Sequence, residues 1–297
     1  MGVRTAGTLA WSVLLATGAM QWRDRLYPHE MGAFMSGSIQ RESSRYWIAV
    51  LAFSATTVDN DALSLRILHF NLDRHNSQPE KVLQYLDNQT VDLLSLQEVT
   101  PEWDKHLRSH LTHYQIAAAE VRQNSQGSTL LIPTNASRIL TLQSTKTLHL
   151  PEGSERPLLV GEFSMDGQSL LFLSLHTTRP RSQATVDFQR RELAAITQWS
   201  QAKQAQGQHV IAMGDFNSTS WTRGFQNLLR RGNLVNSQQG YGWQTTWLAG
   251  WPSVLRIAID HCLYSDGFIT INRSIGPALG SDHRPLIVEL QLARDIR

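Results

Sequence analysis

Cysteine is almost missing from this sequence. Cys262 is the only one in 297 residues, so no intrachain disulfide can form and a small scaffold held by disulfides is excluded. A surplus of one charge is missing as well: 27 Lys and Arg stand against 25 Asp and Glu, a net charge of +2. A field that weak gives no argument for a nucleic-acid surface. Repeats and low-complexity tracts are lacking, and with 41% hydrophobic residues the chain can bury a sizeable core, which excludes intrinsic disorder. No G-x-S-x-G elbow, P-loop or H-E-x-x-H occurs, which removes the motif-bearing forms of those enzymes and nothing more. The acidic DND at 59–61 stands before the first strand, in a linker-like stretch.

Long hydrophobic runs are also scarce. Residues 7–20, GTLAWSVLLATGAM, follow Arg4 in the pattern of a signal peptide or membrane anchor, yet are short for a spanning helix. WIAVLAF at 47–53 is shorter still, and residues 21–46 read as polar connector. Export, membrane association through the N-terminus, and a cytoplasmic chain with these runs packed as helices are all open readings. The expected organisation is an N-terminal hydrophobic segment and linker over 1–63, then one folded domain over 64–297.

From residue 64 strand and helix signals alternate in short blocks. LSLRILHFN (63–71) is a β-rich run. In SQPEKVLQYLDNQ, Ser77 and Glu80 stand at capping-box spacing, Pro79 suits a first helical turn, and Val82, Leu83 and Leu86 form the apolar stripe. VDLLSLQE (91–98) reads as a buried strand, and Thr100-Pro101 opens a short helix with Trp103 and Leu107. PLLVGEFSM and QSLLFLSLH flank Asp166-Gly167, a tight-hairpin signal, so antiparallel pairing is expected there. A long helix is predicted from about Thr185 to Ala205, with Leu193, Ile196 and Trp199 at helical spacing. HVIAMGD (209–215) is a buried strand. Ser220 is placed to cap a helix carrying Trp221, Phe225, Leu228 and Leu229 before Gly232, with Trp221 packed in the core. VLRIAIDHCLYS and LIVEL supply the last strands. Antiparallel hairpins mixed with strand–helix units argue for sheets packed face to face with helices outside.

GSDHRPLIVEL (280–290) places a carboxylate and an imidazole side by side. Neighbours in an extended chain face opposite ways, so Asp282 and His283 belong in the loop before the strand, with Pro285 near its start. Polar residues of metal-binding or proton-handling type end one buried run after another: Asn71, Gln97-Glu98, His176, Asp215 and Asn217, with Asp260 inside IAIDHCL. Singly, each has a plainer explanation. An Asn or Asp after a strand is commonly a turn former, and a His on an apolar strand is commonly a satisfied core residue. Asp260 is harder to dismiss, because a buried carboxylate is costly unless paired, and His283 is the obvious partner. His261, beside it, has no assigned role; a surface or rim histidine is the plainer reading and a catalytic one the alternative.

Taken together and in this order, LHFN, LLSLQEV, LSLHTT, MGDFNST, RIAIDHCL and GSDHRP resemble the endonuclease/exonuclease/phosphatase superfamily, the deoxyribonuclease-like metal-dependent phosphoesterases. The resemblance covers roughly residues 64–292 and is strongest to a bacterial branch with a hydrophobic N-terminal segment. It implies an α/β fold: a four-layer α/β sandwich of two mixed, mainly antiparallel sheets packed face to face, with helices on both outer faces.

The same resemblance implies Mg²⁺, with Mn²⁺ as the other candidate, since a hard divalent cation neutralises phosphoryl oxygens and a developing alkoxide. Glu98 is the first expected ligand, with Asn71 and Asp282 beside it. His283 is the expected general base, because histidine titrates near neutral pH, and Asp260 would hold its tautomer. His176 and Asn217 would donate to the non-bridging oxygens, His176 being also a candidate acid, and Asp215 would orient the water or meet metal. Arg179 and Arg181 follow closely and would meet phosphate, whose geometry guanidinium matches. The expected partner is a phosphodiester or phosphomonoester, nucleic acid first and a phospholipid or sugar phosphate second, acted on by a monomer. A catalytically inactive, membrane-tethered binding module is the third reading, and the complete residue set speaks against it.

Overall fold

The computed structural model describes residues 64–135, 137 and 139–293. The apolar runs at 7–20 and 47–53, the connector between them and DND at 59–61 lie outside the described residues.

Strand β1 (Ser64–Asn71) runs parallel to β2 (Leu93–Gln97), joined by helix α1 (Pro79–Asp87). Helix α2 (Pro101–His110) leads to the hairpin of β3 (Tyr114–Glu120) and β4 (Ser128–Pro133). The chain then builds a second sheet from β5 (Thr141–Leu148), β6 (Leu158–Met165) and β7 (Gln168–His176). Helix α3 (Gln183–Gln204) crosses to β8 (His209–Asp215), and helix α4 (Arg223–Arg231) precedes β9 (Leu234–Asn236) and β10 (Asp260–Ser265). Strands β11 (Phe268–Ile275) and β12 (Leu286–Leu292) return to the first sheet. The orders are β11-β12-β1-β2-β4-β3 and β5-β6-β7-β8-β10-β9. Only β1·β2 and β7·β8 are parallel among the described pairs, so the sheets are mixed and mainly antiparallel, as the resemblance implied.

Local chemistry explains most boundaries. Thr100 caps α2 by accepting from the Trp103 N–H, and Ser182 with Thr185 forms a capping box on α3. Asp166 and Gly167 take φ values of 49° and 76°, the left-handed pair that a two-residue hairpin needs. Two expectations are corrected. The N-cap of α1 is Gln78, without a side-chain hydrogen bond, rather than Ser77; Asn76 Oδ1 accepts from the Gln78 N–H and sets the turn one residue later. Thr222, not Ser220, caps α4, so Trp221 precedes the helix and is 59% exposed instead of packed in the core.

The strand period of two sorts side chains into layers. Leu65 and Ile67 of β1, Leu93 of β2, Phe172 of β7, Ile211 and Met213 of β8 and Cys262 of β10 meet between the sheets. The alternate residues Leu68, Phe70, Leu94 and Leu96 pack under α1 and α2. On the far side Leu171, Leu173, Val210 and Ala212 pack under α3 and α4. The result is four layers, with the polar strand ends on one rim.

Gly214 fixes the spacing at that rim. It stands opposite Leu175 in the parallel β7·β8 register, and a Cβ there would lie 1.9 Å from the Leu175 carbonyl oxygen. Gly214→Ala is expected to force β8 from β7 and destabilise the fold by about 1–3 kcal/mol. Urea unfolding checks this, and an unchanged midpoint would show that the strands have room to spare.

Candidate active site

Period-two alternation carries the inner face of each strand outward to the rim, where it turns from apolar to polar. On β1, Leu65 and Ile67 are followed on the same face by His69 and Asn71; on β8, Ile211 and Met213 by Asp215; on β7, Phe172 by Ser174 and His176. β10 runs the other way, so its first residue, Asp260, stands opposite Asp215. A polar layer separates core from site. Ser95 Oγ and Ser174 Oγ lie 2.7 Å apart across the two sheets, and Gln97 Nε2 donates to Ser174 Oγ at 2.8 Å.

Asp260 is fully buried and uses both oxygens. Oδ2 meets His283 Nδ1 at 2.8 Å and Oδ1 meets His69 Nε2 at 2.9 Å. His69 Nδ1 faces the Ser95 carbonyl oxygen at 3.1 Å, so that nitrogen carries a hydrogen. Burial alone would raise the Asp260 carboxyl, but the two imidazoles outweigh it and hold the group far below the usual carboxylate range. Burial alone would likewise lower His283; Asp260 and Asp215 reverse this and push it up to about 10.

Asp215 is the second hub. Its Oδ2 lies 3.2 Å from Asn71 Nδ2, 3.4 Å from His176 Nε2 and 3.5 Å from His283 Nε2, while Oδ1 accepts from the Asn217 N–H at 2.8 Å. Burial pushes its carboxyl up to about 6 against the pull of His283. His176 goes the other way: burial, with Arg156 nearby, drives it well below the ordinary histidine value, leaving a neutral ring whose Nδ1 has no partner. Asn217 gives one amide hydrogen to Thr177 O at 2.9 Å.

Glu98 departs from strand alternation. A left-handed φ of 60° follows Gln97, and the carboxylate accepts from Asn71 Nδ2 at 3.3 Å and the Arg74 N–H at 3.2 Å. Asp282 is held from the opposite side by Trp247 Nε1 at 2.9 Å, and its Oδ1 lies 3.9 Å from His283 Nε2. Ser281 locks this loop to β1 by donating to Asn71 O and accepting from the His283 N–H. Glu98, Asn71, Asp215, His283 and Asp282 thus form one unbroken chain of contacts along the rim.

Not every expected residue joins them. Arg179 stacks its guanidinium 4.9 Å over the Trp247 ring, one contact from Asp282. Arg181 is exposed at the α3 cap, where its N–H donates to Thr185 Oγ1. His261 is fully buried, not at the rim or surface: alternation turns it away from Asp260 into the outer layer, against Phe216 and Phe225. Burial lowers it to about 4. His69 escaped the sequence reading, although the signal was present, since it lies two residues before Asn71 on the same strand face.

Asp215, Asp260 and His283 offer ligand atoms within 4.8 Å of one another, a spacing compatible with a metal. Asp260 and His283 Nδ1 already saturate each other there. The oxygens of Glu98 and Asp282 are the donor type that a hard cation prefers, and Glu98 carries only an amide and one backbone N–H; Asn71 turns its amide nitrogen to Glu98 and Asp215 and its oxygen to the Asp73 N–H. His69→Leu should leave Asp260 Oδ1 buried without a donor and cost about 1–3 kcal/mol; a wild-type unfolding midpoint would show the bond to be dispensable.

The fold is shared with solved structures. An endonuclease/exonuclease/phosphatase from Bacteroides vulgatus is 17% identical with a TM-score of 0.64, covering 77% of this chain and 99% of its own. D. rerio TDP2, complexed with single-strand DNA product, is 15% identical with a TM-score of 0.61, covering 77% and 99%. A Bacteroides thetaiotaomicron mannosyl-6-phosphatase is 17% identical with a TM-score of 0.60, covering 76% and 99%. No curated protein matches the sequence. The model of the Endonuclease/Exonuclease/phosphatase family matches residues 68–283, a span from β1 to His283 that holds every rim residue described above, and the chain belongs to that family.

Proposed function

We propose that this protein is a divalent-cation-dependent phosphoesterase that cleaves phosphodiester bonds by direct attack of water. One observation supports the reading above the others: Asp260 engages His283 Nδ1 at 2.8 Å, which leaves Nε2 at the rim beside Asp215 and Asp282. In that tautomer Nε2 takes the proton of the attacking water, and Asp260 stabilises the imidazolium that forms. The water oxygen bonds to phosphorus, the bond to the leaving oxygen breaks, and the leaving oxygen takes a proton from solvent. Asp215, 3.5 Å from His283 Nε2, orients the water. Asn217, with one amide hydrogen free of Thr177, and His176 donate to the non-bridging oxygens. His176 is kept neutral by burial, which suits a hydrogen-bond donor better than a strong acid.

Glu98 would hold the cation, with Asp282 as a further oxygen and Asn71 joining them once its amide, whose oxygen accepts from the Asp73 N–H, turns over; Mg²⁺ fits this set better than a softer metal. When bound, such a cation supplies charge neutralisation to the phosphoryl group and opposes the carboxylates that keep His283 protonated. An inactive binding module is disfavoured by the intact set of rim residues. On substrate, a nucleic-acid phosphodiester agrees with the fold shared with D. rerio TDP2 bound to single-strand DNA product. A phospholipid is the second reading, favoured by the exposed apolar side chains Trp251, Val254 and Leu255.

Replacement of His283 by Ala is expected to lower turnover of bis-(p-nitrophenyl) phosphate by about 100-fold or more, with the circular dichroism spectrum kept. Retention of activity would remove the assigned base. Glu98→Gln should raise the Mg²⁺ concentration needed for half-maximal rate, and a superimposable titration curve would take Glu98 out of the ligand set.

A further inference from the structure

The exposed large hydrophobic side chains among the described residues are Trp221, Trp243, Trp251, Val254 and Leu255, at 59%, 61%, 56%, 76% and 45% exposure. All five sit in two loops, one after β8 and one between β9 and β10. Both β8 and β9 pair antiparallel with β10, whose first residue is Asp260. These loops therefore leave the sheet at the catalytic rim. Scattered exposed apolar residues are ordinary, but a set collected beside a site marks a binding surface.

The two loops are joined to each other and to the site. Trp221 and Trp243 stack with ring centroids 5.6 Å apart and planes 12° from parallel. The Ala249 N–H donates to Asp282 O at 2.9 Å, and Trp247 bridges to both Ile257 and His283. Trp251 to Leu255 form the tip of this second loop. Of the four Arg in residues 216–259, Arg223 opens α4 beside Trp221 and Arg256 follows Leu255, while Arg230 and Arg231 end α4 at the far end of the sheet; the carboxylate bonded to the second loop is the rim residue Asp282. Arg179, over Trp247, adds another cation.

We propose that this ledge docks on a lipid bilayer containing anionic phospholipid, and presents a headgroup phosphodiester to the rim; the second clause rests on the phosphoesterase reading above. Aromatic rings and guanidinium groups suit a membrane interface and single-stranded nucleic acid alike. Val254 and Leu255 decide between them. Aliphatic side chains at the outermost tip offer no plane for a base, whereas they enter an acyl layer readily. The arrangement is interfacial, and among the described residues no helix is long and apolar enough to cross a membrane.

The test uses the full chain carrying Val254→Cys labelled with nitrobenzoxadiazole. Cys262 does not compete, being buried with its thiol pushed up to about 12 by that burial. The label should shift to the blue on phosphatidylcholine vesicles containing phosphatidylglycerol, and nitroxide-bearing lipids should quench it. A full-chain Trp251→Ser, Val254→Ser, Leu255→Ser variant should bind those vesicles about 10-fold or more weakly, while hydrolysing soluble bis-(p-nitrophenyl) phosphate at the unaltered rate. No shift on vesicles, or an equal or larger shift with single-stranded oligothymidylate, overturns the proposal, the latter in favour of nucleic acid. Loss of the soluble activity in the unsubstituted chain would instead remove the phosphoesterase reading and leave the vesicle result standing.

Discussion

Asp260 is wholly removed from water, a state that costs several kcal/mol unless hydrogen-bond donors replace the solvent, and its imidazole partners come from the opposite half of the sandwich. Asp260 opens β10 in the second sheet, His69 lies on β1 in the first, and His283 stands in the loop that returns to β12. The ion-pair network is thus also the fastening between the sheets at the rim. It fixes the tautomer of His283 and the depth at which Nε2 is offered, so the geometry of the site and the docking of the layers are one arrangement.

Behind that network the inter-sheet space changes character in steps. Phe172, Ile211 and Met213 fill it with hydrocarbon. Ser95, Ser174 and Gln97 then form a hydrogen-bonded floor. Beyond the floor come the carboxylates and imidazoles. The floor ties Ser95, Ser174 and Gln97 together by direct hydrogen bonds, and the low-dielectric layer beneath strengthens each charge interaction above it. Burial opposes charge at all three histidines, and the outcomes diverge: at His283 two carboxylates outweigh it and push the ring up, whereas it prevails at His176, although Asp215 lies 3.4 Å away, and at His261.

Much of this was legible in the amino-acid sequence because it follows from local rules. Alternating apolar runs, Thr100-Pro101 and Asp166-Gly167 set strands, a helix start and a hairpin by short-range chemistry. The polar strand ends, read in order, pointed to the family. What escaped depended on long-range geometry. The strand face of His69 was readable from Asn71 two residues on, but not that a residue 191 positions away faces it across the sandwich. Trp221 looked like a helical core residue because its spacing fitted α4, but Thr222 captured the cap and left the indole outside. His261 is a different case, since the strand period that placed Asp260 inward already required its neighbour to point outward. The turn of Glu98 depends on a left-handed residue that no propensity would single out.

The two sheets have the same plan. In each, a parallel strand pair linked through a helix leads to a second helix and a hairpin whose later strand pairs inward, and an antiparallel pair flanks the other side, supplied in the first sheet by the end of the chain, giving β11-β12-β1-β2-β4-β3 beside β5-β6-β7-β8-β10-β9. The sequence lacks any repeat, yet the topology is twofold, and Asn71 and Gln97 in one half correspond to His176 and Asp215 in the other. Neither half owns a working centre. The rim therefore takes its full set of carboxylates and imidazoles only where the two halves meet.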